Sequence, residues 1–307
     1  MNIFSIANQD KQVQLKLANR LYAQKAYQLQ EEYLKIVQNS FKADIKLEDF
    51  ENERVQAVQR INAWVEQQTN NLIQALLSIK DGTWIKEFSK NLTNENADFH
   101  EANDKISKIA LMHQREKFAY AENNDLHVQI VHVPYKSENK DVEFVFTVIL
   151  PNRGVELDVV EQKLASQPDL MQNLLNHQNT RTEELHLYLP KFKMEATFEL
   201  SDILQQLGMK DAFSNYKPNF TGIASGNNNR DHLYISKVIH KAFIDVNEQG
   251  SEAAAATAVI IVSYGSINPP PQPIEFKADR PFLFFIRESR QIIVLFSGRF
   301  ISPPTKS

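Results

Sequence analysis

The stretch EQGSEAAAATAVIIVS occupies residues 248–263, and the interpretation of the whole chain depends on it. On helix propensity alone, its four consecutive alanines favour a helix. Two neighbouring features argue against a simple helix. Residues 233–246 alternate like a strand and lead towards the alanine run, residues 253–256, without a turn signal, and the β-branched residues 259–262 follow that run closely. The pattern leaves two alternatives, a helix and a segment that is a loop in one state and a strand in another.

The second alternative has a clear physical requirement. As a strand, the stretch would place small or β-branched side chains on one face: Ser251, Ala253, Ala255, Thr257 and Val259. The other face would carry Glu252, Ala254 and Ala256. Such a strand fits between two existing strands only if its inward face carries no large or charged residue, because burying an unpaired charge is very unfavourable.

Composition places the chain of 307 residues in the ordinary globular class, with 42% hydrophobic and 23% charged residues. The net charge of −4 and the lack of a basic cluster argue against a nucleic-acid partner. Without cysteine there can be no disulfide and no thiolate catalysis. No apolar run reaches the length of a membrane span, so a membrane partner is not expected either.

Motifs for catalysis are lacking. None of the 8 glycines forms a nucleotide-binding pattern, and no nucleophile elbow or zinc-protease motif occurs. His127 and His132 lie five apart on an expected strand and should point to opposite faces, so they do not converge on a metal. His132 and His240 are interpreted as structural histidines. The sequence therefore predicts a protein that is not an enzyme, with no cofactor and no metal site.

Helical and strand patterns alternate irregularly along the chain, which is typical of the α+β class. Helices are expected at residues 29–41, 55–68, 157–176 and 201–208, the last with Ser201 as N-cap. Strands are expected at residues 43–50, 127–133, 142–150, 185–193, 233–246, 274–286 and 292–300, with Pro190 at a bulge or sheet edge. Residues 15–24 fit either a strand or a helix.

Several blocks together resemble the serpin family of serine protease inhibitors. EQGSEAAAATA at residues 248–258 is similar to the hinge of inhibitory serpins. FKADRPFLFFI at residues 276–286 resembles their C-terminal signature, with Asp279, Pro281 and Phe282 in the expected places. Residues 82–84, 189–209, 220–223 and 295–300 resemble further family blocks. The resemblance runs from about residue 15 to residue 300. It implies a single α+β domain over residues 1–307, with mixed β-sheets surrounded by helices and an exposed reactive-centre loop near the C-terminus.

The resemblance also implies a mechanism. A target serine protease attacks the loop as a substrate, and the cleaved loop then inserts into the main sheet and traps the acyl-enzyme. The hinge would comprise Glu248, Gly250, Ser251, Ala253, Ala254, Ala255, Ala256 and Thr257. In the family the residue before the cut usually lies sixteen positions after the hinge glutamate, which places the reactive bond at Tyr264–Gly265. Tyr264 suits a chymotrypsin-like protease, whereas a cut after Val262 would suit an elastase-like one. The protein is expected to be a monomer.

Departures from the family pattern keep alternatives open. The sequence shows no match to the family's first helices. Near residues 78–82 it also shows no match to the long apolar strand beside which the cleaved loop inserts in the family. A non-inhibitory binding or storage serpin, or a shortened form that is only a protease substrate, therefore stands beside the inhibitor. The family favours the extracellular space, while the absence of a signal-peptide pattern favours the cytoplasm.

Overall fold

The computed structural model describes residues 14–17, 20–25, 28–41, 44–49, 52–68, 77–80, 84–136, 143–225, 233–249, 273–290 and 292–304. The chain forms two compact units, each described by itself below. Unit 1 contains residues 1–14, 79–193 and 245–307, and unit 2 contains residues 15–78 and 194–244. Within the described residues, no helix is both long and apolar enough to cross a membrane.

Helices and strands are intermixed along the chain, which confirms the α+β class. The strands and helices are β1 Gln14–Leu17, β2 Arg20–Gln24, β3 Gln28–Leu29, α1 Glu31–Phe41, β4 Asp44–Glu48, α2 Arg54–Gln68, β5 Leu77–Lys80, β6 Asn94–His100, β7 Ile106–Asn123, β8 Val128–Pro134, β9 Phe144–Pro151, α3 Leu157–Ser166, α4 Pro168–Leu175, β10 Arg181–Pro190, β11 Phe192–Glu199, α5 Ser201–Gln206, β12 Ala224–Ser225, β13 Ile239–Val246, β14 Ile274–Lys277, β15 Phe282–Glu288 and β16 Ile293–Phe300.

Unit 1 is built on one sheet with the strand order β14-β10-β7-β8-β9-β15-β16, with β6 also paired to β7. The long strand β7 pairs with β6 near its start, with β10 over residues 111–120 and with β8 near its end. Strand β9 lies between β8 and β15, and all eight of its residues are buried. Burial on both faces explains why its sequence is a continuous apolar run rather than an alternating one.

Helices α3 and α4 cover one face of this sheet. Leu157, Val160 and Leu164 of α3 belong to the same buried cluster as Ile149 of β9 and Phe285 of β15. Instead of the single helix expected over residues 157–176, two helices occur because Pro168 has no backbone N–H to continue the first one. A proline is well accommodated at the first position of the second helix, where its fixed φ suits the new start.

A polar network inside unit 1 surrounds His132, which is fully buried. His132 Nδ1 lies 2.7 Å from Thr147 Oγ1, and Arg287 donates to both residues, from Nε to Thr147 Oγ1 at 3.1 Å and from Nη2 to His132 Nδ1 at 3.2 Å. Burial lowers the pKa of Arg287 to about 10 and lowers the pKa of His132 well below its ordinary value. His127 was expected on the same strand, but it lies in the preceding turn with φ 53°.

Unit 2 contains most of a four-stranded sheet in the order β1-β5-β13-β11, together with the small pairs β2–β4 and β3–β12. Strand β5 is parallel to β13, with Ser78 opposite Phe243. Helix α2 is held to β4 by Arg60, whose guanidinium lies 2.7 Å from the buried carboxylate of Glu48. Residues 77–80 lie close to the position where the family's long strand has no match in this sequence. They form a strand of four residues beside β13.

Four expectations about elements were wrong in detail. Strand β13 begins at Ile239 rather than at residue 233, and residues 274–286 form two strands separated at residues 278–281, where Pro281 lies. Ser201 is the first helical residue rather than the N-cap, and its Oγ accepts a hydrogen bond from Val238 N at 3.0 Å. Strand β10 is not at an edge, because it pairs with both β7 and β14. Pro190 is tolerated at its end because the ladder to β14 has already ended at Tyr188.

Candidate functional site

The expected reactive bond and most of the expected hinge lie outside the described residues. This applies to a set of named residues: Tyr264, Gly265, Gly250, Ser251, Ala253, Ala254, Ala255, Ala256 and Thr257. We refer to residues 250–272 as the loop segment. The structure describes both of its flanks, which are residues 245–249 before it and residues 273–282 after it, and each flank contains a buried carboxylate.

Glu248, the first expected hinge residue, is the first of these carboxylates and is only 3% exposed. Lys191 Nζ lies 3.0 Å from Glu248 Oε2, and Thr93 donates from Oγ1 to Glu248 Oε1 at 3.0 Å. Phe88 N also donates to the carbonyl oxygen of Glu248 at 2.8 Å. These contacts fix both the side chain and the backbone of Glu248. We call Glu248, Lys191 and Thr93 the entry anchor.

The electrostatics of the entry anchor favour the ionised carboxylate. Burial by itself raises the pKa of Glu248, because it penalises the charged form. Hydrogen bonds from the backbone, from Lys191 and from Thr93 act in the opposite direction and outweigh it, so the net pKa is lowered. Glu248 is therefore a buried charge with its partners in place, the arrangement that buried charges require.

Trp84 holds the backbone on either side of Glu248. Its indole Nε1 donates to Asn247 O at 2.9 Å, and its backbone N donates to Gln249 O at 3.1 Å. Trp84 is fully buried and its ring stacks on Tyr135 with centroids 4.5 Å apart. The end of β13 is thereby tied into the core of unit 1 immediately before the loop segment begins.

Asp279 is the second buried carboxylate, just after β14, and it is 1% exposed. Arg153 donates from Nη2 to Asp279 Oδ2 at 2.7 Å, and Arg280 donates from Nη1 to Asp279 Oδ1 at 3.0 Å. The backbone oxygen of Asp279 accepts from His100 N at 2.8 Å. We call Asp279, Arg153 and Arg280 the exit anchor. The two anchors give the loop segment fixed ends.

The sequence pointed to Glu248 and Asp279 but missed the partners that hold them. Lys191, Thr93 and Arg153 lie far from their carboxylates along the chain, and no spacing rule connects them. Only the fold brings them together: Lys191 lies between β10 and β11, Thr93 directly precedes β6, and Arg153 lies in the turn after β9. Within the described part of the chain, no group of three or more histidine, cysteine, aspartate or glutamate side chains is arranged to hold a metal ion.

Comparison with known proteins identifies the fold that carries these anchors. The family model "Serpin (serine protease inhibitor)" matches residues 2–303. Human Serpin B4 is 35% identical over 94% of this chain and 75% of its own length, and human leukocyte elastase inhibitor is 33% identical over 94% and 78%. An uncharacterised serpin-like protein of Thermococcus kodakarensis is 37% identical, and the match covers 94% of this chain and 66% of that protein.

Solved structures agree with the sequence matches. Uncleaved ovalbumin superimposes with a TM-score of 0.78 at 28% identity, covering 98% of this chain and 82% of that chain. Thyroxine-binding globulin in complex with thyroxine superimposes with a TM-score of 0.79 over 98% and 79%, and at 23% identity this likeness shows the fold alone. With a family model matching nearly its full length and relatives above 30% identity, this chain belongs to the serpin family of serine protease inhibitors.

Proposed function

We propose that this serpin inhibits a serine protease as a suicide substrate, through cleavage and insertion of the loop segment. The observation that supports this most is the position of the small-residue hinge, residues 250–257, directly after the entry anchor. A fixed Glu248 gives the hinge a pivot, and small side chains let the chain beyond it enter a sheet. The relatives named as elastase inhibitors favour the same inhibitory function.

The chemistry begins at the reactive bond. The protease serine attacks the carbonyl carbon of Tyr264, the bond to Gly265 breaks, and the amine of Gly265 leaves with a proton from the protease histidine. The new amino end at Gly265 separates from Tyr264, which remains esterified to the protease. Residues 250–264 are then free to move about the pivot at Glu248.

Insertion follows from the geometry before the hinge. Glu248 and Gln249 lie in a turn directly after β13. A chain that reverses there would run antiparallel to β13, the direction in which two strands can be joined by a short turn. Each strand hydrogen bond gained contributes about 0.5–1.5 kcal/mol net. We infer that this gain drives the inserted state.

Specificity is carried by the residue before the cut. The aromatic side chain of Tyr264 suits the deep apolar pocket of a chymotrypsin-like protease. Val262 is the second candidate and would suit an elastase-like protease, the class named in the leukocyte elastase inhibitor relatives.

The test is incubation with chymotrypsin and, separately, with neutrophil elastase, followed by denaturing gels and mass spectrometry. We expect chymotrypsin to form a complex that survives denaturation and to release a C-terminal fragment that begins at Gly265. A fragment beginning at Ser263 with elastase would move the reactive bond to Val262. If neither protease cuts within residues 250–272, the assignment of this segment as bait is wrong.

A serpin that is cleaved without trapping the protease is the second candidate. Among the residues that the structure describes, the part of β5 beside β13 has four residues whereas β13 has eight. The sequence also shows no match near residues 78–82 to the family's long apolar strand, so an inserted strand would have less to pair with on that side, which weakens the driving force for insertion. The thyroxine complex of a serpin-fold neighbour also shows that the fold can serve purposes other than trapping.

A further inference from the structure

Polar side chains interrupt the sheet face of unit 1 that helices α3 and α4 cover. The apolar cluster on that face includes one residue from each of the strands β8, β9 and β15: Ile130, Ile149 and Phe285. Because side chains alternate along a strand, the residues two positions away lie on the same face. These are His132, Thr147 and Arg287, and all three are fully buried.

The hydrogen bonds of His132 fix its neutral form. Arg287 Nη2, which can only donate, lies 3.2 Å from His132 Nδ1, and Thr147 Oγ1 lies 2.7 Å from the same nitrogen. His132 Nδ1 therefore accepts, and the ring proton lies on Nε2, which is buried and has no hydrogen-bond partner among the described residues. A second proton could bind only at Nδ1, where the new N–H would point at the guanidinium.

His177 packs against His132 from outside the sheet. It lies in the turn between α4 and β10, and its ring centroid is 4.7 Å from that of His132. The side chain is half-buried, and its Nε2 is buried without a hydrogen-bond partner in the described part of the chain. Burial, and then the charge of Arg287, lowers the pKa of His177. A proton on either ring would thus place a second positive charge near Arg287.

Two carboxylates lie near these groups, but they do not compensate a proton on His132. Glu288 is buried on β15, and Glu143 directly precedes β9, where its Oε2 accepts from Ser289 Oγ at 2.8 Å. Both raise the pKa of Arg287, and Glu143 also raises that of His177, but burial acts in the opposite direction and is larger in each case. For His132, burial and the charges of Arg287 and His177 all lower the pKa.

We propose that His132, His177 and Arg287 form an acid-sensitive switch, in which protonation of the histidines beside the guanidinium destabilises the fold below about pH 6.5. Both histidines have a lowered pKa in the folded chain and an ordinary pKa of about 6.5 in the unfolded chain. Their contribution to stability is fully present above that value and is lost as pH falls through it towards the folded-state pKa. The switch would restrict the folded chain to near-neutral surroundings, whether or not the loop segment inhibits a protease.

The test is urea unfolding of the full chain at pH 7.5 and at pH 5.5. A histidine that ionises only in the unfolded chain raises the unfolding equilibrium constant by about tenfold between these two pH values. His132→Asn keeps an acceptor at the position of Nδ1 but cannot ionise, so the rise should be about tenfold smaller than in the native chain. His100→Gln, which removes an exposed histidine of β6, should show the same rise as the native chain.

A second variant keeps the proposal falsifiable if His132→Asn folds poorly. His177 is partly exposed, so His177→Gln should fold, and it should reduce the rise by up to about tenfold. Equal rises in the native chain and in both variants would show that these histidines do not set the stability in acid, and the proposal would be wrong. If His132→Asn does not fold, an unchanged rise in His177→Gln is enough to overturn it.

Discussion

Glu248 is the single side chain on which the entry anchor depends. Its replacement by alanine removes the carboxylate that accepts from Lys191 and Thr93. Lys191 is partly exposed and can be rehydrated, so we expect Glu248→Ala to lower the free energy of unfolding by about 1–2 kcal/mol, mostly from the lost charged hydrogen bonds. Glu248→Gln keeps an acceptor for Thr93 and should cost less.

Urea unfolding at pH 7 measures this effect, and Glu95→Ala is the matched control because Glu95 is exposed. Equal midpoints for Glu248→Ala and Glu95→Ala would show that the entry anchor does not stabilise the chain. A smaller loss for Glu248→Gln than for Glu248→Ala would separate the hydrogen bond from the charge.

The lowered pKa of Glu248 sets the pH dependence of the same anchor. A carboxyl group whose folded-state pKa lies below its ordinary value of about 4.3 stabilises the folded chain above that value. The stabilisation is lost as pH falls through the folded-state pKa. We therefore expect the difference in melting temperature between the native chain and Glu248→Gln to be constant from pH 7 to about pH 5 and to shrink below about pH 4. A difference that grows towards acid pH would contradict the sign of the shift.

At the scale of elements, the pairing of β15 with β16 depends on a glycine. Gly298 lies opposite Phe284, and a Cβ added to it would overlap the Phe284 ring more closely than real Cβ contacts allow. Phe284 is itself packed against Phe146 and Phe192. We expect Gly298→Ala to lower the free energy of unfolding by about 1–3 kcal/mol, the usual cost of overpacking. Gly222→Ala is the control, since a Cβ there meets nothing within 4 Å. Denaturant unfolding of both variants measures the two free energies of unfolding, and equal values would contradict the prediction.

In the proposed mechanism, the function of the expected hinge depends on which way its side chains face. As an inserted strand it would direct Ala255 inwards and Ala254 outwards, because side chains alternate along a strand. We expect Ala255→Arg to abolish the stable protease complex while cleavage continues at the same bond, since a buried unpaired charge would prevent insertion. Ala254→Arg should retain the complex. Equal yields of complex from the two variants on denaturing gels would argue against insertion in this register.

At the scale of the whole molecule, the proposed mechanism depends on a race between insertion and deacylation. The described part of β5 has four residues against eight in β13, and the family's long strand has no match near residues 78–82, so we expect insertion to be slow. Many encounters should then end in cleavage, and the molar ratio of this serpin to protease needed for complete inhibition should lie well above one. Titration of protease activity measures this ratio. A ratio near one, with a large rise in melting temperature after cleavage, would show that the short strand is no obstacle.

Local sequence patterns predicted part of the elements, but they missed β6, β11 and the 18-residue strand β7. Helices α1 and α2, strands β8, β9 and β16, and the α+β class follow from periodicity, because an element that buries one face must repeat its apolar residues with its own period. Boundaries failed where tertiary contacts decide them. Ser201 Oγ accepts a hydrogen bond from Val238 N instead of capping a helix. Residues 233–238 do not form a strand, although their sequence alternates.

Within the candidate site, the sequence by itself determined the family, the small-residue character of the hinge and the positions of Glu248 and Asp279. These are properties of short contiguous stretches, in which each residue type is chosen for its own size, charge or backbone preference. The tertiary structure alone decided which side chains meet. Lys191 and Arg153 reach their carboxylates through strand pairings and turns that join residues 57 and 126 positions apart. Spacing along one strand carries no information about such pairs, because their distance is set by register between strands.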